Sequence, residues 1–214
     1  MSPESYSVAG VDGKASPRRP VLHRSTPTGR KASRRRFVVL DRDGTVIVAH
    51  PYLSDPAKVQ LVPDIAPGLR LMRELGLGLV VITNQSVVGR GYCDESVLGL
   101  IHHRMCDLLA DEGVSLDGIY YCPHVPDDNC QCRKPSTGLL DLASAELAFD
   151  AKASFVIGDK ACDVELGQRV GATTFLVKNR FSEVSNGASL PADHTVDGLY
   201  GAALIIRDLL LEPK

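Results

Sequence analysis

Short, continuous apolar runs alternate with longer amphipathic stretches from Phe37 onward. The runs fall at 36–40, 77–83, 117–122, 153–158 and 173–178 and are mostly Val, Ile and Leu. Runs of this length read as buried parallel strands. Between and after them, 64–76, 94–112, 138–150, 161–170 and 197–212 read as helices. Ile65, Leu69, Met72 and Leu75 share one face of the first; Val97, Leu100, Ile101, Leu108 and Leu109 share one of the second. Gly76 and Gly113 supply helix stops. The alternation predicts an α/β chain, a Rossmann-like parallel sheet with helices on both faces.

Two segments break the rhythm. Residues 46–63 carry Pro51, Pro56 and Pro63, and residues 122–137 carry a cluster of Cys and His. Both follow strands, so both are expected over the carboxyl edge of the sheet, where open α/β sheets bind ligands. Residues 1–36 have no apolar period and are rich in Ser, Pro, Gly and Arg. They read as a disordered basic extension, with a targeting peptide or an anionic-surface contact as the sharper alternative. The domain proper is then 37–214.

Charge sharpens that division. Residues 1–36 hold nine Lys/Arg and two acids, so the net −2 of the chain is +7 there and −9 beyond. So acidic a body is a poor general nucleic-acid binder. No apolar run is long enough to span a membrane and no signal-peptide core precedes the folded region, so a cytoplasmic protein without membrane insertion is expected. With 44% hydrophobic residues in 214, one sizeable core is within reach, and a monomer is expected. Three of six cysteines crowd into eleven residues with a His, which suits metal binding in a reducing compartment better than disulfides.

Chemistry gathers at the strand ends. The first strand ends in Asp41-Arg42-Asp43-Gly44-Thr45, the second in Thr83-Asn84-Gln85-Ser86, and the fourth in Gly158-Asp159-Lys160 with Asp163 a helical turn on. The third leads into the Cys/His loop, which closes with Arg133-Lys134-Pro135. Acids, a hydroxyl, an amide and several cations at one edge suit a phosphate and a divalent cation such as Mg²⁺. Two carboxylates two residues apart can divide the labour of nucleophile and proton carrier.

These four motifs, in this order, resemble those of haloacid-dehalogenase-superfamily phosphatases. The resemblance implies a capless or minimally capped fold. It implies that Asp41 attacks phosphorus and that Asp43 acts as acid and base. Thr83 and Lys134 would hold phosphoryl oxygens. Mg²⁺ would be bound by the carboxylates of Asp41 and Asp159 and the main-chain carbonyl of Asp43. Asp163 would lie behind them, orienting Lys160 or a metal-bound water.

Cys122-Pro123-His124, five residues, then Cys130-Gln131-Cys132 supply four ligands in one loop, 122–132. Cys₃His is a closed tetrahedral set, so a structural Zn²⁺ is expected rather than a catalytic one. It would fold a loop too polar to make its own core and position Lys134. The arrangement also resembles two zinc-containing branches of the superfamily, the heptose-1,7-bisphosphate 7-phosphatases and the related histidinol-phosphate phosphatases. Thr83–Ser86 running on to Gly89-Arg90-Gly91-Tyr92, Asp117–Tyr121, and His50-Pro51-Tyr52 favour the heptose branch. Ile47, Ala49 and Pro51 depart from its usual residues.

A small sugar phosphate is therefore the expected partner. Ala49, His50, Pro51, Tyr52, Thr83, Asn84, Gln85, Ser86, Arg133, Lys134 and Lys160 are the expected substrate contacts, with Arg90 a weaker candidate. His102, His103 and Cys106 read as packing or surface residues. The remaining alternative is a zinc-loop binding module without catalysis. It has no need of the complete set Asp41, Asp43, Thr83, Lys134 and Asp159.

Overall fold

The computed structural model describes residues 35–178 and 191–211. The expectation of disorder for 1–36 therefore lies outside the described residues, Arg35 and Arg36 excepted. Among the described residues six strands form one all-parallel sheet: β1 (Phe37–Leu40), β2 (Gly78–Asn84), β3 (Gly118–Cys122), β4 (Phe155–Gly158), β5 (Thr173–Val177) and β6 (His194–Val196). Their order is β3-β2-β1-β4-β5-β6. The chain winds outward from β1 and then returns to start again at β4. Connections leave those two neighbouring strands in opposite directions, which opens a cleft at their carboxyl ends.

Among the described residues six α-helices accompany the sheet: α1 (Ile65–Glu74), α2 (Ser86–Gly89), α3 (Glu95–Asp111), α4 (Gly138–Glu146), α5 (Ala161–Val170) and α6 (Leu199–Leu211). Strand pleating sends alternate residues to opposite faces. Val38, Leu40, Leu79 and Val81 join the layer of α1, α3 and α6. Phe37, Val39, Val80 and Ile82 join that of α4 and α5. This two-sided burial is why the strands read as unbroken apolar runs. At Gly68 the backbone of α6 comes so close that a Cβ would stand 2.6 Å from the Leu199 carbonyl carbon.

The five expected strands and helices are present, and β6 and α2 are additional. Two differences have physical causes. α4 stops at Glu146 rather than near 150, because Ala148 turns left-handed and Phe149 folds back to stack on Phe37 at 4.3 Å. The 46–63 segment, which breaks the strand–helix rhythm, still buries Val46, Ile47, Leu53 and Val59 in the core. On α3 the buried face is Leu98, Ile101, His102, Met105 and Leu109, whereas Leu100 is 57% exposed. Including a polar His in that stripe shifts the face away from the one the aliphatic residues alone suggest. Among the described residues no separate cap domain intervenes, and no helix is long and apolar enough to cross a membrane.

Candidate active site

Asp41 is the first residue beyond β1, and its N–H donates to the Ile157 carbonyl of β4 at 2.9 Å. That bond fixes the carboxylate over the cleft between the two strands. Lys134 reaches it from the far end of the Cys/His loop, with Nζ 2.7 Å from Asp41 Oδ1 and 2.6 Å from Asp163 Oδ1. The same ammonium donates to the Ile82 carbonyl at 2.7 Å. Lys134 is 4% exposed, so a neutral amine would be favoured by burial alone; Asp163 and Asp41 reverse this and raise its pKa. Burial likewise opposes ionisation of Asp41, but Lys134 and Lys160 outweigh it and hold that carboxyl below its usual range. Asp163 goes the other way, raised by burial against the pull of Lys134 and with the push of Asp41.

Asp163 thus serves Lys134 through one oxygen. Its other oxygen accepts the Lys160 N–H at 3.1 Å, capping α5. Gly158 makes room for it, because any Cβ there would collide with the Asp163 side chain. Asp159 follows Gly158, and oxygens of Asp41, Asp159 and Asp163 lie within 4.8 Å of one another. Lys160 is half exposed, with Nζ 3.8 Å from Asp41 and 3.7 Å from Asp159.

Asp43 faces the same pocket from the next turn. A pocket of about 30 Å³ is lined by Asp41, Asp43, Thr83, Asn84, Lys134, Lys160 and Cys162. Thr83 Oγ1 accepts from Gln85 Nε2 at 2.8 Å, which leaves the hydroxyl proton to donate elsewhere. Asn84 clamps the Lys134 backbone, accepting its N–H at 2.9 Å and donating to its carbonyl at 3.2 Å. Gln85, expected beside the substrate, is instead buried and donates to Asp43 Oδ2 at 2.8 Å.

The other expected substrate contacts do not line this pocket. Ala49, His50 and Ser86 are half-buried, and Pro51 and Tyr52 are exposed. Tyr52 packs edge-on against Tyr92, and Arg90 lies over its ring at 5.6 Å. Arg133 donates to the His124 carbonyl at 3.2 Å, tying it to the Cys/His loop. Ile47 is wholly buried, so this departure from the heptose branch is a core residue rather than a lost polar contact. Arg42 was not foreseen as a site residue, yet it is buried and grips both carboxylate oxygens of Asp43. Only its place between the two aspartates could have signalled this.

The second cluster lies beyond β3. Cys122, the last residue of that strand, has its Sγ 3.5 Å from His124 Nδ1, 3.5 Å from Cys130 Sγ and 3.3 Å from Cys132 Sγ. Cys132 Sγ lies 3.1 Å from His124 Nδ1 and 3.4 Å from Cys130 Sγ. Sulfur ligands at about 2.3 Å from a tetrahedral ion stand roughly 3.7 Å apart, so the four atoms fit a single metal ion after a small expansion. Hydrogen bonding between Cys122 and Cys132 lowers the Cys132 pKa, favouring the thiolate that a metal needs.

The switch-point cleft, the paired aspartates and the buried lysine define a hydrolase of the haloacid-dehalogenase type. A family model described as HAD-hydrolase-like matches residues 131–202. A D-glycero-beta-D-manno-heptose-1,7-bisphosphate 7-phosphatase of Photorhabdus laumondii is 37% identical over 169 residues, covering 76% of this chain and 90% of that one. The chain belongs to that family of phosphatases. Its fold also matches the D,D-heptose 1,7-bisphosphate phosphatase of B. bronchiseptica, solved with magnesium and phosphate. There the TM-score is 0.74 at 27% identity, over 81% of this chain and 99% of that one. A putative HAD-like phosphatase of Mesorhizobium loti gives 0.72 at 31% identity, over 88% and 93%.

Proposed function

We propose that this chain hydrolyses the 7-phosphate of D-glycero-D-manno-heptose 1,7-bisphosphate through a phosphorylated Asp41, within nucleotide-heptose synthesis. The observation that carries the chemistry is the convergence of Asp41, Asp43, Thr83 and Lys134 on one pocket. The relatives' names support the choice of substrate.

Asp41 attacks phosphorus, and the P–O bond to the sugar breaks as Asp43 gives that oxygen a proton. Water then attacks the aspartyl phosphate while Asp43 takes a proton back, which releases phosphate and restores both carboxyls. Lys134 and Thr83 donate to the phosphoryl oxygens. Asn84 fixes the Lys134 backbone and Asp163 its ammonium, which exchanges its bond to Asp41 or to the Ile82 carbonyl for a phosphoryl oxygen.

The oxygen-rich donor set at the two strand ends fits Mg²⁺. Asp163 has both oxygens engaged, by Lys134 and by the Lys160 N–H, whereas Lys134 takes only one oxygen of Asp41, so Asp41, Asp159 and the main-chain carbonyl of Asp43 would hold the ion. Bound Mg²⁺ would supply positive charge that lets an anionic carboxylate meet a phosphate dianion. The thiolate and imidazole set of Cys122, His124, Cys130 and Cys132 fits Zn²⁺, which would clip the loop that carries Arg133 and Lys134. Lys160, which lines the pocket, and Arg133, next to Lys134 in the chain, are the candidate cations for the rest of a bisphosphate, and residues 49–52 and 84–86 are the other candidate substrate contacts. A single 37–214 domain acting as a cytoplasmic monomer, with 1–36 as an appendage, completes this reading.

The test is kcat/KM on both anomers of the heptose bisphosphate and on histidinol phosphate, with and without Mg²⁺. Preference for one heptose anomer, lost without Mg²⁺, is expected. Preference for histidinol phosphate would assign the chain to the other zinc-containing branch.

A further inference from the structure

We infer that His102 is a positioning residue for the reaction, acting through Arg42 to hold Asp43 in its working orientation. The inference rests on the reading of Asp43 as the acid and base. Its basis is a chain of four side chains that lies mostly behind the pocket. Arg42 is 1% exposed and heads the largest fully buried side chains. A buried guanidinium is tolerated only when its N–H groups are paired. Here Nε donates to Asp43 Oδ2 at 3.1 Å, and Nη2 donates to Asp43 Oδ1 at 3.0 Å and to Gln85 Oε1 at 2.7 Å. Nη1 lies 3.2 Å from His102 Nε2.

That last contact fixes the histidine. Arg42 has only donors, so Nε2 accepts and the ring proton sits on Nδ1. Nδ1 is buried without a hydrogen-bond partner. The ring therefore makes a single polar contact, and that contact is to Arg42. A wholly aliphatic residue would suit this buried position on α3 better if packing were its only task, since the remainder of the stripe is Leu, Ile and Met.

The consequence reaches Asp43. Oδ2 accepts from Arg42 and from Gln85, so its acceptor capacity is taken. Oδ1 accepts one bond and keeps a lone pair. The network thus assigns the travelling proton to Oδ1: it leaves Oδ1 for the departing sugar oxygen and returns there from the attacking water. Losing the His102 acceptor would strand one guanidinium N–H, let Arg42 turn, and release Asp43.

The experiment compares two substrates that differ in their need for an acid. A sugar phosphate has a poor leaving group and needs the proton; p-nitrophenyl phosphate has a good one and does not. Turnover of both is measured for the wild type, His102→Leu, His102→Gln and Asp43→Asn, with folding checked by melting temperature. His102→Leu should lower kcat on the sugar phosphate about tenfold or more beyond its effect on the aryl phosphate, with KM within about twofold. His102→Gln, which keeps an acceptor, should recover most of that loss. Equal losses on both substrates, or no recovery with Gln, would overturn the inference. If Asp43→Asn discriminates between the substrates and His102→Leu does not, only the role of His102 fails. If Asp43→Asn does not discriminate either, the acid–base reading itself fails.

Discussion

The pocket at the ends of β1 and β4 and the Cys/His loop beyond β3 are held together in opposite ways. The pocket is braced by the sheet. Asp41 hangs on a strand hydrogen bond, and Lys134 is locked between two carboxylates and a carbonyl. The loop has little apolar content of its own between Cys122 and Cys132; residues 124–131 are all partly or fully exposed, and only its two ends enter the core. Its geometry depends on four soft ligands closing on one point. The first region is pre-organised by the fold, and the second, on the reading proposed above, is closed by a bound metal ion. Lys134 belongs to both, because it follows Cys132 by two residues and its ammonium ends on Asp41.

The largest effect should come from breaking that shared residue. Lys134→Met leaves Asp41 and Asp163 buried side by side without their cation, and removing one partner from a buried pair costs about 3–5 kcal/mol. Denaturant unfolding should register that loss, and phosphate release should fall by about 10³-fold or more. Cys130→Ser or chelation strikes only the loop. Metal content should drop, and a loss of about 3 kcal/mol would lower Tm by roughly 6–12 °C. If Tm and metal content are unchanged, the loop is not metal-braced and the contrast dissolves.

Gly158→Ala probes the braced side with a single methyl. It would force Asp163 away from Lys134 and should cost about 1–3 kcal/mol with a matching loss of kcat. The smallest effect is one of pH. Burial and Arg42 both keep His102 neutral, well below its usual pKa of 6.5. Only the unfolded chain then takes up that proton, so stability is complete above pH 6.5 and falls as pH drops below it. Replacing His102 with Gln should flatten the curve by up to about 1.4 kcal/mol per pH unit. An unchanged slope would show that His102 is charged or exposed.

The same contrast governs what could be read from the chain. Strands buried on both faces announce themselves as apolar runs, and polar groups that end such runs are forced to the sheet edge. Asp41, Thr83 and Asp159 were legible for that reason, Lys134 by the family motif it resembles at the close of the Cys/His loop, and the Cys/His set by its spacing. β6 was not, because three residues, His194, Thr195 and Val196, carry too little pattern. Nor was the network behind Asp43. Arg42 looks like a solvated residue, and His102 interrupts an aliphatic stripe; their meeting joins positions 60 apart in sequence. Asn84 and Gln85 were placed at the pocket by the same reasoning as Thr83; Asn84 lines it while clamping the Lys134 backbone, whereas Gln85 is buried and bonds Asp43.

The central claim is that Asp41 carries the phosphoryl group. Rapid acid quench of a single turnover, followed by peptide mass analysis, tests it most directly. The account predicts one phosphoryl mass on the peptide containing Asp41, absent in Asp41→Asn, whose phosphate release should fall to background with its Tm close to that of the wild type. A labelled residue other than Asp41, or undiminished phosphate release by Asp41→Asn, would contradict it.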